Sequence, residues 1–318
     1  MLIMEITPEI LSENLYRLLT TKIANRRFYE KRSLGFRNEI EFEHILKERE
    51  YETLDPGQFL LLNRKTNPNS QNSMIYVTVS KDDKSSYEKF YSMLGKLEDL
   101  ERFFFVEICD TDEWVDENFV IKDERGMKVN SMLIRPKLDV FEFVEGEWSE
   151  SSLEEIRKFF PESRQTTCAK KPNNFGYLTA YELDDLIPVY CNRYFLDITL
   201  AGVSKGMMDF DHIIIKDGKF IPVETKEKSP IKDSDDEKDW AFGWDSRRFG
   251  WYFYLRHKLD LNSWYVIREV KDKDDREFMK WKIVDFDGFC RSVSWLAERS
   301  AGGGAGTIEA PYSAFADF

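Results

Sequence analysis

The sequence predicts a mixed α/β protein. A mixed central sheet flanked by helices is expected in the second half, preceded by a separate α/β domain in the first. Three observations carry this reading. Short apolar runs rich in β-branched and aromatic residues, such as Met74 to Ser80 and Phe103 to Ile108, alternate with segments of helical periodicity. Ile213 to Ile215 and Phe220 to Val223 flank Asp217-Gly218, a strong hairpin signal because both turn positions favour positive φ. Finally, 318 residues, 42% of them hydrophobic, can bury more than one core, and 25 Phe, 14 Tyr and 8 Trp argue against disorder.

Residues 6 to 32 read as helix, with Thr7 as cap, Pro8 in the first turn, and Ile10, Leu11, Leu15, Leu18, Leu19 and Ile23 at helical spacing. Its C-terminal part holds the one basic cluster: Lys22, Arg26, Arg27, Lys31, Arg32 and Arg37, interleaved with Phe28 and Tyr29. Two readings of it stand. The cluster contacts phosphates and gains affinity from counterion release, or it places cations at a helix C-terminus on a solvated face. Glu39 to Glu50 reads as a second helix, with Ile40, Phe42, Ile45 and Leu46 inward. Strands follow at Gln58 to Asn63 and Met74 to Ser80, then a helix from Ser85 to Arg102. Phe103 to Ile108 reads as a buried strand, and Phe119 to Phe143 as further strands around a turn at Gly126. Glu147 to Phe160 reads as a short helix. Pro161 and the polar run Thr166 to Asn174 read as a linker, which sets the domains at 1–160 and 161–318.

In the second half, a helix from Tyr181 to Tyr194 leads into a strand from Phe195 to Leu200, and Gly202 and Gly206 punctuate the approach to the hairpin. Trp240 to Leu259 reads as a helix whose apolar face is Phe242, Phe249, Tyr252, Phe253 and Leu255. Ser263 to Val270 and Lys280 to Asp285 close as strands, Phe289 to Glu298 as a helix, and Thr307 to Phe318 as either a terminal strand or a mobile end.

If Asp217-Gly218 is the loop, Lys216 faces Lys219, and counting outward sets Asp211 opposite Glu224 and Asp209 opposite Lys226. Alternation then projects all four side chains from one face. Directly opposed side chains stand about 5 Å apart at Cβ, so the two carboxylates repel unless a cation lies between them. A hard divalent ion with oxygen ligands and retained waters, Mg²⁺, answers that need. On this reasoning, removing Asp211 or Glu224 is expected to stabilise the metal-free chain. Lys226 adds a fixed positive charge, placed to orient an attacking water or to stabilise charge on a phosphate.

Asp211 followed by Glu224-Thr225-Lys226 resembles the active-site motif of the PD-(D/E)xK nuclease superfamily. There an Asp opens one strand and (Asp/Glu)-x-Lys closes the next. The resemblance covers roughly residues 175 to 300, and Phe210 stands where the superfamily usually has Pro. It implies a restriction endonuclease-like core, with Asp211, Glu224 and Lys226 catalytic and Mg²⁺ as cofactor, Mn²⁺ being able to substitute. Asp211 and Glu224 would hold the metal, with Asp209 as an auxiliary carboxylate. Glu182 is a further ligand candidate by element order, and its other reading is a charge at a helix N-terminus. The helix after the motif would bring Arg247, Arg248 and Tyr252 toward nucleic acid, and Arg26, Arg27, Lys31 and Arg32 would extend that contact. The implied activity is hydrolysis of phosphodiester bonds in double-stranded DNA by a Type II restriction or defence endonuclease acting as a homodimer. A repair or recombination nuclease, and a catalytically inactive nucleic-acid-binding or scaffold protein, are the alternatives.

Composition limits the other classes. The net charge of −13 is unusual for a nucleic-acid binder, although a local basic stripe can coexist with it. No run approaches the roughly 20 apolar residues of a membrane span, and no signal peptide is evident at the N-terminus. Cys109, Cys168, Cys191 and Cys290 form no CxxC pair, and His44, His212 and His257 are not at ligand spacing. Zinc is therefore unsupported and a reducing cytoplasm is expected.

Overall fold

The computed structural model describes residues 5–22, 26–61, 73–122, 128–160, 176–200, 207–232, 236–272, 276–293, 298–301 and 305–318. The expected linker 166–174, the turn at Gly126, and Gly202 and Gly206 lie outside them. The protein is mixed α/β, with several sheets flanked by helices. No described helix is long and apolar enough to cross a membrane.

Two compact units form, one from Met1–Arg37 with Gly57–Asp209, the other from Asn38–Pro56 with Phe210–Phe318. This differs from a break near residue 160. The reason is hydrophobic burial: Phe42 and Leu46, far earlier in the chain, pack against Ile214, Val223, Val266 and Trp281 of the second unit.

The chain opens with helices α1 (Pro8–Lys22) and α2 (Arg26–Glu48), so the second expected helix is the end of a longer one. Strand β1 (Glu52–Leu54) belongs to the second unit. The first unit continues with β2 (Gly57–Leu61), β3 (Met74–Ser80), α3 (Glu88–Leu94) and β4 (Leu100–Ile108). Then come β5 (Val115–Lys122), β6 (Lys128–Arg135), β7 (Leu138–Val144), β8 (Glu147–Ser151) and α4 (Leu153–Lys158). Where one helix was expected from 147, a strand precedes it, and Ser152 starts the helix by accepting the Glu155 N–H at 3.3 Å. Helix α5 (Leu183–Tyr194) passes into a π-helical turn, Phe195–Thr199, where a strand was expected. A short buried apolar run has no periodicity that separates strand from helix. Strand β9 (Met207–Asp209) ends the unit as an edge of the sheet β8-β7-β4-β3-β2-β9, in which β3 and β4 run parallel.

The second unit continues with β10 (His212–Lys216), β11 (Lys219–Lys228), β12 (Ile231–Lys232) and β13 (Trp240–Asp245). Helix α6 (Ser246–Leu259), β14 (Trp264–Val270), β15 (Phe278–Asp285) and α7 (Phe286–Ser292) follow. The last elements are β16 (Glu298–Ala301), β17 (Ala305–Pro311) and β18 (Ala316–Asp317). The main sheet has the order β1-β10-β11-β14-β15-β18, a second one the order β12-β13-β17-β16. Strands β11 and β14 are parallel, as a crossover through α6 requires. The helix expected from Trp240 begins six residues late, because Asp245 caps it: its Oδ1 accepts the N–H of Arg247 at 3.0 Å and of Arg248 at 3.3 Å. Trp244, thereby left on a strand, stacks on Tyr265 with centroids 4.2 Å apart and planes 9° apart. The C-terminal half of α2 covers one face of the main sheet and α6 the other.

Candidate active site

The hairpin forms in the register that its turn dictates. Asp217 and Gly218 have φ of 51° and 71°, the pair of positive values that a two-residue turn between twisted strands needs. Lys216 pairs with Lys219 and His212 with Val223. The next step outward sets Asp211 beside Glu224, and the Asp211 N–H donates to the Val223 carbonyl at 2.9 Å. Strand β11 is central, flanked by β10 and β14, so Glu224 has no solvent exposure.

Both carboxylates are buried yet compensated. Thr225 donates its backbone N–H at 2.6 Å and its hydroxyl at 3.0 Å to Asp211 Oδ2. Lys226 Nζ lies 2.6 Å from Glu224 Oε1 and 3.8 Å from Asp211 Oδ2, and donates to the Thr225 carbonyl at 3.0 Å. From α6, Arg248 Nη1 reaches Glu224 Oε2 at 2.9 Å and the Tyr252 hydroxyl donates to the same oxygen at 3.3 Å. These cations offset the repulsion that the sequence implies, so removing a carboxylate is expected to cost stability rather than add it.

Burial raises the Asp211 pKa, but Lys226, Arg248 and the Thr225 N–H together outweigh it and hold the group below its ordinary value. Burial works to lower the Lys226 pKa, and the Glu224 and Asp211 carboxylates overcome it, so the ammonium titrates above the usual lysine range. Lys226 is therefore charged at neutral pH and available as a hydrogen-bond donor. The Lys226 side chain keeps 40% of its exposure against 0% for Glu224, which makes it the member of the group that a solute meets first.

Whether a metal fits can be read from what surrounds this ammonium. Among the described residues no group of three or more His, Cys, Asp and Glu is arranged to hold an ion. Three oxygens nevertheless converge on one cation: the Glu224 and Asp211 carboxylates and the Thr225 carbonyl. The ammonium stands in that cradle as a divalent ion would, and hard oxygen donors of this kind suit Mg²⁺ or Mn²⁺ with waters completing the shell.

Comparison with family models, with curated proteins and with solved structures returns no match.

The other sequence candidates are spread more widely. Asp209 is not part of the hairpin strand that pairs with β11. It lies on β9, where it pairs with Gln58 of β2 in the first unit, because the chain leaves the hairpin at Phe210. Glu182, also in the first unit, is the N-cap of α5, and its N–H donates to Asp185 Oδ2 at 3.3 Å, the helix N-terminal reading of that residue. Arg247 is exposed on α6, whereas Arg248 and Tyr252 are committed to Glu224. Arg26, Arg27, Lys31 and Arg32 lie on α2, and their side chains are outside the described ones. Sequence reasoning missed Thr225 and Lys228. The variable position of the motif looked like a spacer, yet its hydroxyl and N–H fix Asp211. Lys228 continues the two-residue alternation from Glu224 and Lys226, a signal that was present in the sequence.

Proposed function

We propose that the protein is a Mg²⁺-dependent nuclease hydrolysing phosphodiester bonds in DNA, on a restriction endonuclease-like core formed by the second unit. The single observation that carries this is the convergence of Lys226 Nζ on Glu224 Oε1 at 2.6 Å and Asp211 Oδ2 at 3.8 Å at the end of a hairpin. Asp211, Glu224 and the Thr225 carbonyl would hold the ion, which when bound supplies Lewis acidity toward the phosphoryl oxygens and acidifies a water ligand. Lys226, kept protonated by its two carboxylates, donates to the attacking water or to the charge that develops on the phosphate. Thr225 holds Asp211 in place. Arg248 and Tyr252 hold one oxygen of Glu224, and the other faces Lys226. A Type II restriction or defence enzyme working as a homodimer, one site for each strand, is the form of this reading we favour over a repair or recombination nuclease. Incubation with supercoiled, linear and single-stranded DNA in Mg²⁺, followed by sequencing of the ends, tests it.

A catalytically inactive nucleic-acid-binding or scaffold protein is the second reading, and one observation favours it. Both oxygens of Glu224 already face protein cations, so the network is neutralised without a metal. It requires that the folded wild type show no Mg²⁺-dependent cleavage of plasmid DNA.

A further inference from the structure

The parallel strands β11 and β14 end at a cavity of about 280 Å³. Open α/β sheets bind ligands outside the carboxyl ends of such strands. Ile231, Phe242 and Val270 give it apolar walls, and Lys228, Ser229, Arg276 and the Glu227 carboxylate bring polar groups to it. Its volume is near the small end of the roughly 300–1,000 Å³ typical of ligand pockets, room for one nucleotide-sized group and not for a duplex.

Lys228 decides what the cavity accepts. Following Glu224 and Lys226 at two-residue steps, it projects from the same face of β11. Its Nζ donates to the Gly243 carbonyl, and among the described residues no carboxylate comes within ion-pairing distance of it. Burial first, then the Lys226 ammonium, bring its pKa down to about 8 against the pull of Glu224, Asp245 and Glu309. Two of the acids beside it are paired elsewhere. Glu227 takes Arg276 at 2.6 Å and Arg268 at 3.1 Å, and Glu269, its neighbour across the parallel pair, accepts the Tyr312 hydroxyl at 2.7 Å. Arg276 uses Nε and Nη2 on Glu227, so its Nη1 donors have no partner among the described residues. A lysine with only a neutral carbonyl, a guanidinium with donors to spare, a hydroxyl and apolar walls together describe a receptor for a compact oxyanion with an organic body.

We propose that this cavity binds one phosphate ester, its phosphate on the Lys228 ammonium and its organic part against Phe242 and Val270. The preference for an anion stands on the lining alone. The choice of phosphate over carboxylate rests on the nuclease reading, in which the pocket holds a nucleotide next to the scissile bond, since Lys226 and Lys228 stand roughly 7 Å apart along the strand.

The test uses the full chain without divalent metal and four probes: inorganic phosphate, a deoxynucleoside 5′-monophosphate, a short single-stranded oligonucleotide and acetate. Lysines are trace-acylated near pH 8 and quantified by mass spectrometry, and affinities are measured by calorimetry. Labelling of Lys228 is expected to fall about tenfold when a phosphate probe stands at about ten times its Kd, with exposed Lys258 unaffected. Lys228→Met, checked for fold by circular dichroism, is expected to bind the same probe about tenfold more weakly or worse. Protection by the mononucleotide or inorganic phosphate points to a free ligand, and protection by the oligonucleotide alone to a chain-borne one. Both support the pocket. No protection by any phosphate probe, equal protection by acetate, or unchanged affinity in Lys228→Met overturns it. DNA cleavage without protection leaves the nuclease reading standing and removes the pocket, and protection without cleavage does the reverse.

Discussion

Arg248 Nη1 lies 2.9 Å from Glu224 Oε2, on the carboxylate of a residue with no solvent exposure. The contact joins the first turn of α6 to the central strand of the main sheet, and with Lys226 it makes burial of an acid tolerable. Removing one partner of such a pair strands a charge in low dielectric. Arg248→Met should cost about 2 to 3 kcal/mol, less than a fully buried pair because Lys226 remains beside Glu224. Adding Glu224→Gln to Arg248→Met should recover part of that loss. A denaturant-melt double-mutant cycle measures both, and additive effects would show that the two residues do not interact.

Gly218 at φ 71° occupies the left-handed region that branched residues resist. Gly218→Val should lower stability by about 1–2 kcal/mol, whereas Asp217→Asn should change it little, because Asn tolerates the same region. Urea unfolding distinguishes the two. The turn makes no contact with the acid group, so chemistry should survive in the folded fraction.

Two groups with lowered pKa make stability rise with pH, in separate ranges. The Asp211 pKa is lower in the folded chain than in the unfolded one, so its stabilisation is present above about pH 4 and is lost as acid protonates it. Lys228 is also lowered, to about 8, and there the charged form is the one the fold penalises, a cost relieved as the ammonium loses its proton. Between pH 8 and roughly 10.5 the unfolded chain holds a proton that the folded one has lost, so stability should rise with pH there. Asp211→Asn should flatten the acid limb and Lys228→Met the alkaline rise, both read from melting temperature against pH.

Much of the site was legible in the sequence, and the reasons are local. Asp217-Gly218 allows one turn geometry, the turn sets the register, and the register sets Asp211 beside Glu224. What could not be read was decided by distant partners. Asp209 left the hairpin because β2 offered it an edge to pair with. Phe195 to Thr199 became a π-helical turn because a buried apolar run carries no period. Trp240 to Asp245 became a strand because Asp245 is a better helix start than anything before it. The division between units depended on Phe42 and Leu46 finding Val223 and Val266, a contact across more than half of the chain that no local signal announces.

The most direct measurement is cleavage of supercoiled DNA in Mg²⁺ by wild type, Lys226→Ala and Asp211→Asn, with melting temperatures recorded with and without the ion. Wild type should nick or linearise the plasmid and be stabilised by Mg²⁺, Lys226→Ala should lose roughly 10²-fold or more of the rate, and Asp211→Asn should lose both cleavage and the Mg²⁺ response. No cleavage of any DNA by a folded wild type, or cleavage that survives both substitutions, would contradict the assignment.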